Sequence, residues 1–324
     1  MTATESKLPN DISVPPSMTD TSNKDGLESY MTPWVYSKVK DSNRLEANLM
    51  DQCRILRGKG QDRKAEILLR TISKIRRCRM DFIEFHLQGN PNQKKRHPFY
   101  CQDSLCPICY QYISYTSNKK VLSKLASVRG EMYGVYTFSP PNLSANRLKS
   151  FVTQLKKVPP KVFSPQCRKL SEFIDGSIRF IGLTYHRSSG FNVHLHVILH
   201  FRRTISEQEA GEIYVMLNKR FIKFLNLKNA ESHLAIREYT FENLKRTASY
   251  LTKYEDHQNL SRNITWEIKT YNAYRKAYKY TRWINYSGCY GDRYLSMVDL
   301  EEMEDNYSSE GQDSVKIYEF KSGH

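Results

Sequence analysis

The sequence predicts an α+β fold, an antiparallel sheet with flanking helices preceded by a basic, cysteine-rich module. Three observations lead there. Residues 178–201, IRFIGLTYHRSSGFNVHLHVILHF, are two apolar runs around Arg187-Ser188-Ser189-Gly190. That is a hairpin pattern, and strands joined by a tight turn are antiparallel. Segments with apolar residues at helical spacing lie on both sides of the hairpin. Residues 98–113 hold three closely spaced cysteines, Cys101, Cys106 and Cys109.

Residues 1–30 are rich in Ser, Thr, Pro and Asp, with few large apolar groups, and read as a disordered tail. Residues 31–125 form the basic helical and cysteine module. Within it, residues 40–80 alternate charged and apolar positions at helical spacing, broken near Gly58–Gly60, which predicts two helices. Residues 126–298 form the main domain. EMYGVYTFSPPN, residues 131–142, is a strand ending at a Pro-Pro turn. Residues 144–157 are helical. The hairpin follows. Residues 205–225 are a helix with Ser206 as N-cap, and residues 241–256 another. Residues 266–296 are a Tyr- and Lys-rich basic segment, and residues 299–324 an acidic and polar tail.

The net charge of +16 over 324 residues favours a polyanion partner, with nucleic acid as the default and an unspecialised basic surface as the plainer alternative. The 22 Tyr beside Lys and Arg suit stacking on unpaired bases. No apolar run is long enough to span a membrane, and the N-terminus lacks the apolar core of a signal peptide, so the expected location is the cytoplasm. There clustered cysteines read as metal ligands rather than disulfides.

Side chains alternate across a strand, so His194, His196, Ile198 and His200 share one face, with Val193, Leu195, Val197 and Leu199 on the other. Two imidazoles about 6.6 Å apart at the backbone can converge on one divalent ion. The plainer reading is two His on a solvent face, but that face also carries Ile198. His200 lies about 20 Å from His194 along the strand, too far to share an ion. A turn around Ser188–Gly190 would set His186 opposite His194, as a further candidate ligand or an exposed side chain near the turn.

In TASYLTKYEDH, residues 247–257, Tyr250 and Tyr254 are helical neighbours with Lys253 beside both. A Tyr hydroxyl can attack a phosphodiester and hold the phosphate as a covalent ester, given a divalent ion and a nearby cation. In isolation the same pattern fits Tyr packing on a core with Lys in solvent. Cys101-x4-Cys106-Pro-x-Cys109 has the spacing of a structural zinc site and needs a fourth ligand. Cys53, Cys167 and Cys289 are isolated and read as small hydrophobes.

Taken in order, these pieces resemble the HUH endonuclease superfamily, and more closely the plasmid rolling-circle replication initiators. VYTFSPPN, Val135 to Asn142, is similar to the family's first motif. His194-Leu195-His196, preceded by Asn192, is similar to its second, and Tyr250-x-x-Lys253 to its third. The resemblance runs from about Cys78 to Gly288. It implies an HUH-type sheet and site-specific nicking of one DNA strand at a replication origin, single-stranded or in a hairpin. His194 and His196 would hold Mg²⁺ or Mn²⁺. Tyr250 would be the nucleophile and Lys253 a supporting cation, with Tyr254 a second Tyr as in small-phage initiators. A host helicase and polymerase would follow. It also implies structural Zn²⁺ on Cys101, Cys106 and Cys109, with Cys78 as fourth ligand and His97 the competitor.

Two departures stand out. Arg246 occupies the place of a Glu that activates water in single-Tyr relatives. The region Ile181–Thr184 lacks the Glu that supplies a third metal ligand in relatives, leaving His186, Glu172 or Asp175 as substitutes. The alternatives are a relaxase or transposase of the same superfamily, or a zinc-stabilised nucleic-acid-binding regulator without nicking activity.

Overall fold

The computed structural model describes residues 33–80, 82–87, 90–98, 100, 101, 103, 105–163, 168–252, 268–278, 283–291 and 318–322. The N-terminal tail, Cys167, Lys253, Tyr254 and the acidic stretch 299–313 lie outside the described residues. The two predicted N-terminal helices are α1 (Pro33–Gly58) and α2 (Asp62–Met80). Leu45, Leu49, Cys53 and Leu56 recur near every fourth position of α1 and are buried, as are Leu68, Ile72 and Ile75 of α2. Gly60 turns the chain between them at φ 66°, a left-handed conformation that costs glycine little. Strands β1 (Phe82–Leu87) and β2 (Asn90–Pro98) pair as a separate two-stranded sheet, in which His97 stands opposite Ile83. Helix α3 (Pro107–Ala126) follows the cysteines, with Pro107 at its first position, where a missing N–H costs nothing.

The main sheet has six antiparallel strands. Its strands in chain order are β3 (Met132–Ser139), β4 (Ile174–His186), β5 (Gly190–Phe201), β6 (Glu231–Glu238), β7 (Ile284–Gly288) and β8 (Tyr318–Lys321). Their spatial order is β7-β4-β5-β3-β6-β8, with every pairing antiparallel. The expected hairpin is β4–β5. Gly190, at φ 89°, closes it, and a Cβ there would lie 2.6 Å from the Leu143 carbonyl oxygen. Leu143 and Phe191 exchange backbone hydrogen bonds of 2.8 and 2.9 Å, pinning the loop after β3 onto the hairpin. Three strands of this sheet, β6, β7 and β8, were not read from the sequence, nor was the separate β1–β2 pair. The polar end of the chain is not all tail, since β8 extends the sheet beyond β6.

Both faces of the sheet are covered. Helices α4 (Ala145–Val162) and α6 (Glu207–Leu225) supply Leu148, Val152, Leu155, Ile213, Leu217 and Phe221 to the core beneath Val193, Leu195, Val197 and Leu199. The short α5 (Arg168–Phe173) leads into β4. Ser206 caps α6 in a complete capping box with Glu209. The opposite face packs against α3 and α7 (Phe241–Leu251) through Val121, Leu125, Val135, Ile198, Leu244 and Ala248. Helix α8 (Ile268–Tyr278) falls in the basic segment. Among the described residues no helix is long and apolar enough to cross a membrane.

Candidate active site: a histidine pair beside a tyrosine helix

The centre of β5 presents His194 and His196 toward the α3–α7 side, their ring centroids 4.9 Å apart. Register sets Thr137 of β3 and Phe180 of β4 on either side of His196, and Gly182 of β4 beside His194. Each imidazole is oriented by a polar neighbour. Asn192 Nδ2 donates to Asn142 Oδ1 at 3.1 Å, which turns Asn192 Oδ1 toward His194 Nδ1, also at 3.1 Å. The oxygen can only accept, so Nδ1 carries the proton and Nε2 the lone pair. Thr137 Oγ1 stands 2.9 Å from His196 Nδ1. Hydrogen bonds of this kind orient metal-ligating histidines.

Gly182 makes the geometry of His194 possible. A Cβ at that position would lie 1.9 Å from His194 Nε2. The imidazole lies across β4 where any other residue would place its side chain.

The register corrects the expected place of His186. It pairs with Gly190 rather than His194, lies exposed at the end of β4 and does not line the cleft. Glu172 is exposed on α5, and Asp175 Oδ1 lies 2.5 Å from His200 Nδ1. Among the described residues no carboxylate lines the cleft.

Tyr250 approaches from the last turn of α7. Thr240 caps this helix by accepting from the Asn243 backbone N–H, and Phe241, Leu244, Thr247 and Ala248 bury its inner face. Tyr250, 48% exposed, is left over the histidines, its ring centroid 5.8 Å from that of His196. Arg246 pairs with Glu242 one turn away at 2.8 Å, both on the solvent side.

Helix α3 braces the same turn, which sequence reasoning missed. Asn118 Nδ2 donates to Ser249 Oγ at 3.3 Å and Thr252 Oγ1 at 3.2 Å, and Ser114 Oγ donates to the Thr252 carbonyl. Lys120, two residues beyond Asn118, lines the cleft with its Nζ 5.7 Å from the Tyr286 ring centre. Nothing in the local sequence of α3 signals these contacts, which join positions more than 130 residues apart.

The histidines and Tyr250 open into a cleft of about 570 Å³. Its far wall is aromatic. Tyr278 and Trp283 stack with centroids 4.5 Å apart, and Tyr274 lies 5.2 Å from Tyr278. Tyr274 is fully buried, and Tyr278 and Trp283 are half-buried against each other.

The cysteine cluster stands at the start of α3. The Sγ atoms of Cys78, Cys101, Cys106 and Cys109 all lie within 4.8 Å of one another. Cys109 Sγ is 3.4 Å from Cys78 and 3.5 Å from Cys101. Tetrahedral zinc with bonds of about 2.3 Å requires sulfurs just under 4 Å apart, so the donor set fits. Cys78, from α2, is the fourth thiol. The four thiols share hydrogen bonds, which lower Cys78 and Cys101 and raise Cys106 and Cys109. Asp103 shapes the loop by accepting from the Leu105 backbone N–H at 3.0 Å. Burial raises the Asp103 carboxyl against the opposing pull of Arg275, whose guanidinium lies 3.6 Å away.

No family model matches the chain, and no solved structure matches it. Among curated proteins, "Protein rep" of Lentilactobacillus hilgardii is similar, with 21% identity over 235 residues spanning 68% of this chain and 73% of that protein. The chain thus carries a distant likeness to a Rep protein, on an α+β fold whose four-cysteine cluster can hold zinc.

Proposed function

We propose that this chain initiates rolling-circle replication by nicking one DNA strand at an origin through a tyrosine and later rejoining it. The observation that carries the reading is the His194–His196 pair, each imidazole oriented through Nδ1, with the exposed Tyr250 ring 5.8 Å from His196. The distant likeness to a Rep protein and the net charge of +16 point the same way. Rolling-circle replication as such, the HUH assignment and the nicking chemistry belong to this proposal.

In the proposed reaction the Tyr250 oxygen attacks the scissile phosphorus and loses its proton to solvent. The new P–O bond leaves the 5′ phosphate on the tyrosine. The bond to the 3′ oxygen breaks, and that oxygen departs with the electron pair and takes a proton, giving a free 3′-OH. The phosphodiester is exchanged rather than hydrolysed, so the reverse transfer rejoins the strand without ATP. A bound Mg²⁺ or Mn²⁺ on the two histidines would withdraw charge from the scissile phosphate. Thr137 and Asn192 keep the ligand nitrogens aimed, and Asn118 and Ser114 hold the turn that carries Tyr250. Lys120 and Lys253 supply positive charge, and Tyr254 is the candidate second tyrosine. The 3′-OH serves a host polymerase, with a host helicase opening the duplex. Zn²⁺ on the cysteines fixes the basic helices against α3.

The test is a denaturing-gel assay for a covalent protein–DNA adduct, using single-stranded oligonucleotides that tile the cognate origin, with Mn²⁺ or Mg²⁺. An adduct is expected from wild type, and none from Tyr250→Phe or from His194→Ala/His196→Ala. An adduct that needs Tyr254 instead would transfer the role. DNA binding with no adduct under either ion would leave a regulator without nicking activity.

A further inference from the structure

The face of β5 that carries the histidine pair holds a third histidine, in a polar pocket of an otherwise apolar layer. His200 is 5% exposed. Its Nε2–H donates to the Arg129 carbonyl at 3.0 Å, and its Nδ1 lies 2.5 Å from Asp175 Oδ1. Cys289 completes the group, the three donor atoms lying within 4.8 Å of one another. Tyr239 and Tyr290 set their rings edge-on to the imidazole, each with its centroid 5.8 Å away.

The backbone is shaped to bring these residues together. The β4–β5 register shifts between Ile174 and Gly176, at Asp175. Gly288 adopts φ 63°, and the Cys289 N–H then donates to the Asp175 carbonyl at 3.1 Å. A Cβ on Gly176 would lie 2.3 Å from Cys289 Sγ, so that glycine makes room for the thiol.

We propose that Asp175, His200 and Cys289 form a second metal site, for zinc, distinct from the four-cysteine cluster and from the His194–His196 pair. A nucleophilic cysteine would need the imidazole to hold the thiol on one nitrogen and the carboxylate on the other. Here Nε2 is committed to Arg129, so that chemistry is closed. A zinc site accounts for all three: nitrogen, oxygen and sulfur donors converge, and the ligating histidine donates its other N–H to a carbonyl. His200 is about 13 Å along the strand from His196, so the two cannot share an ion. The site clips β4, β5 and the turn after β7 together, independently of any nicking activity.

The experiment counts zinc in the full chain carrying His194→Ala and His196→Ala, after dialysis against metal-free buffer. Two zinc per chain are expected, and one after either Cys289→Ser or Asp175→Asn. Cobalt substitution should likewise lose one thiolate-to-metal absorption component on Cys289→Ser and keep that of the four-cysteine cluster. If Cys289→Ser does not fold, Asp175→Asn, which keeps the side chain's size, decides the count. A zinc count unchanged by these substitutions overturns the proposal and leaves a hydrogen-bonded Asp175–His200 pair.

Discussion

Single atoms set the histidine pair. Gly182 has no Cβ, and His194 Nε2 sits 1.9 Å from where one would be. Alanine normally costs a strand less than glycine. Gly182→Ala should therefore leave the thermal melt near wild type or above it, while adduct formation falls at least about tenfold as the ligand is displaced. An unchanged adduct rate would show that His194 tolerates the shift. The Thr137 hydroxyl orients the other imidazole at 2.9 Å. Thr137→Val keeps the shape and removes the oxygen. The Mn²⁺ concentration for half-maximal adduct should rise about 10–100-fold, as when other outer partners of metal ligands are removed. Val at this position in β3 should not lower the folding stability by more than about 1 kcal/mol.

Helices contribute through how they are held. Asn118 and Ser114 of α3 bond the last turn of α7, so the orientation of Tyr250 depends on a neighbouring helix. Asn118→Ala should lower the adduct rate about tenfold or more, because small misplacements of a nucleophile are costly. Oligonucleotide affinity should stay as it was, and a parallel loss of affinity would point to a general structural role. In α6 the capping box ties the helix start to Arg203, whose guanidinium lies 2.5 Å from Glu209. Those hydrogen bonds, then that of the Ser206 backbone, hold the Glu209 carboxyl down at about 2. A depressed carboxyl stabilises the fold above its unfolded value. This contribution is complete at neutral pH and is lost as pH falls from about 4.5 through about 2. Urea melts of Glu209→Gln should show a smaller stability loss than wild type across that window.

At the scale of the whole molecule, the four-cysteine cluster links α2, the loop before α3 and α3 itself, and α3 reaches the last turn of α7. Stripping zinc with a strong chelator should lower the melting temperature by about 5 °C or more, since ligand binding adds to folding free energy. It should also reduce adduct formation even with Mn²⁺ in excess. A melt indifferent to chelation, with no zinc bound, would mean the thiols pack without metal. The same core cluster contains Leu49 and Ile72 of the N-terminal helices, Leu195 of the sheet and Tyr271 of α8, so disturbance at the cysteines has a packed route inward.

The sequence by itself determined the elements with strong local signals: the paired basic helices, the strand ending at Pro140, the β4–β5 hairpin and the capped α6. It also set which face His194 and His196 share, because alternation along a strand is local geometry. Short polar strands were not legible. INYSG and YEFK carry little alternation, and they become strands only because the edges of β4 and β6 offer them hydrogen bonds. Register likewise belongs to the tertiary structure. It put Gly182 rather than His186 beside His194, and Thr137 beside His196, since cross-strand pairing depends on where the turn closes. The gathering of Asp175, His200 and Cys289, 114 residues apart end to end, was decided only by the fold, because no local pattern encodes contact between distant segments.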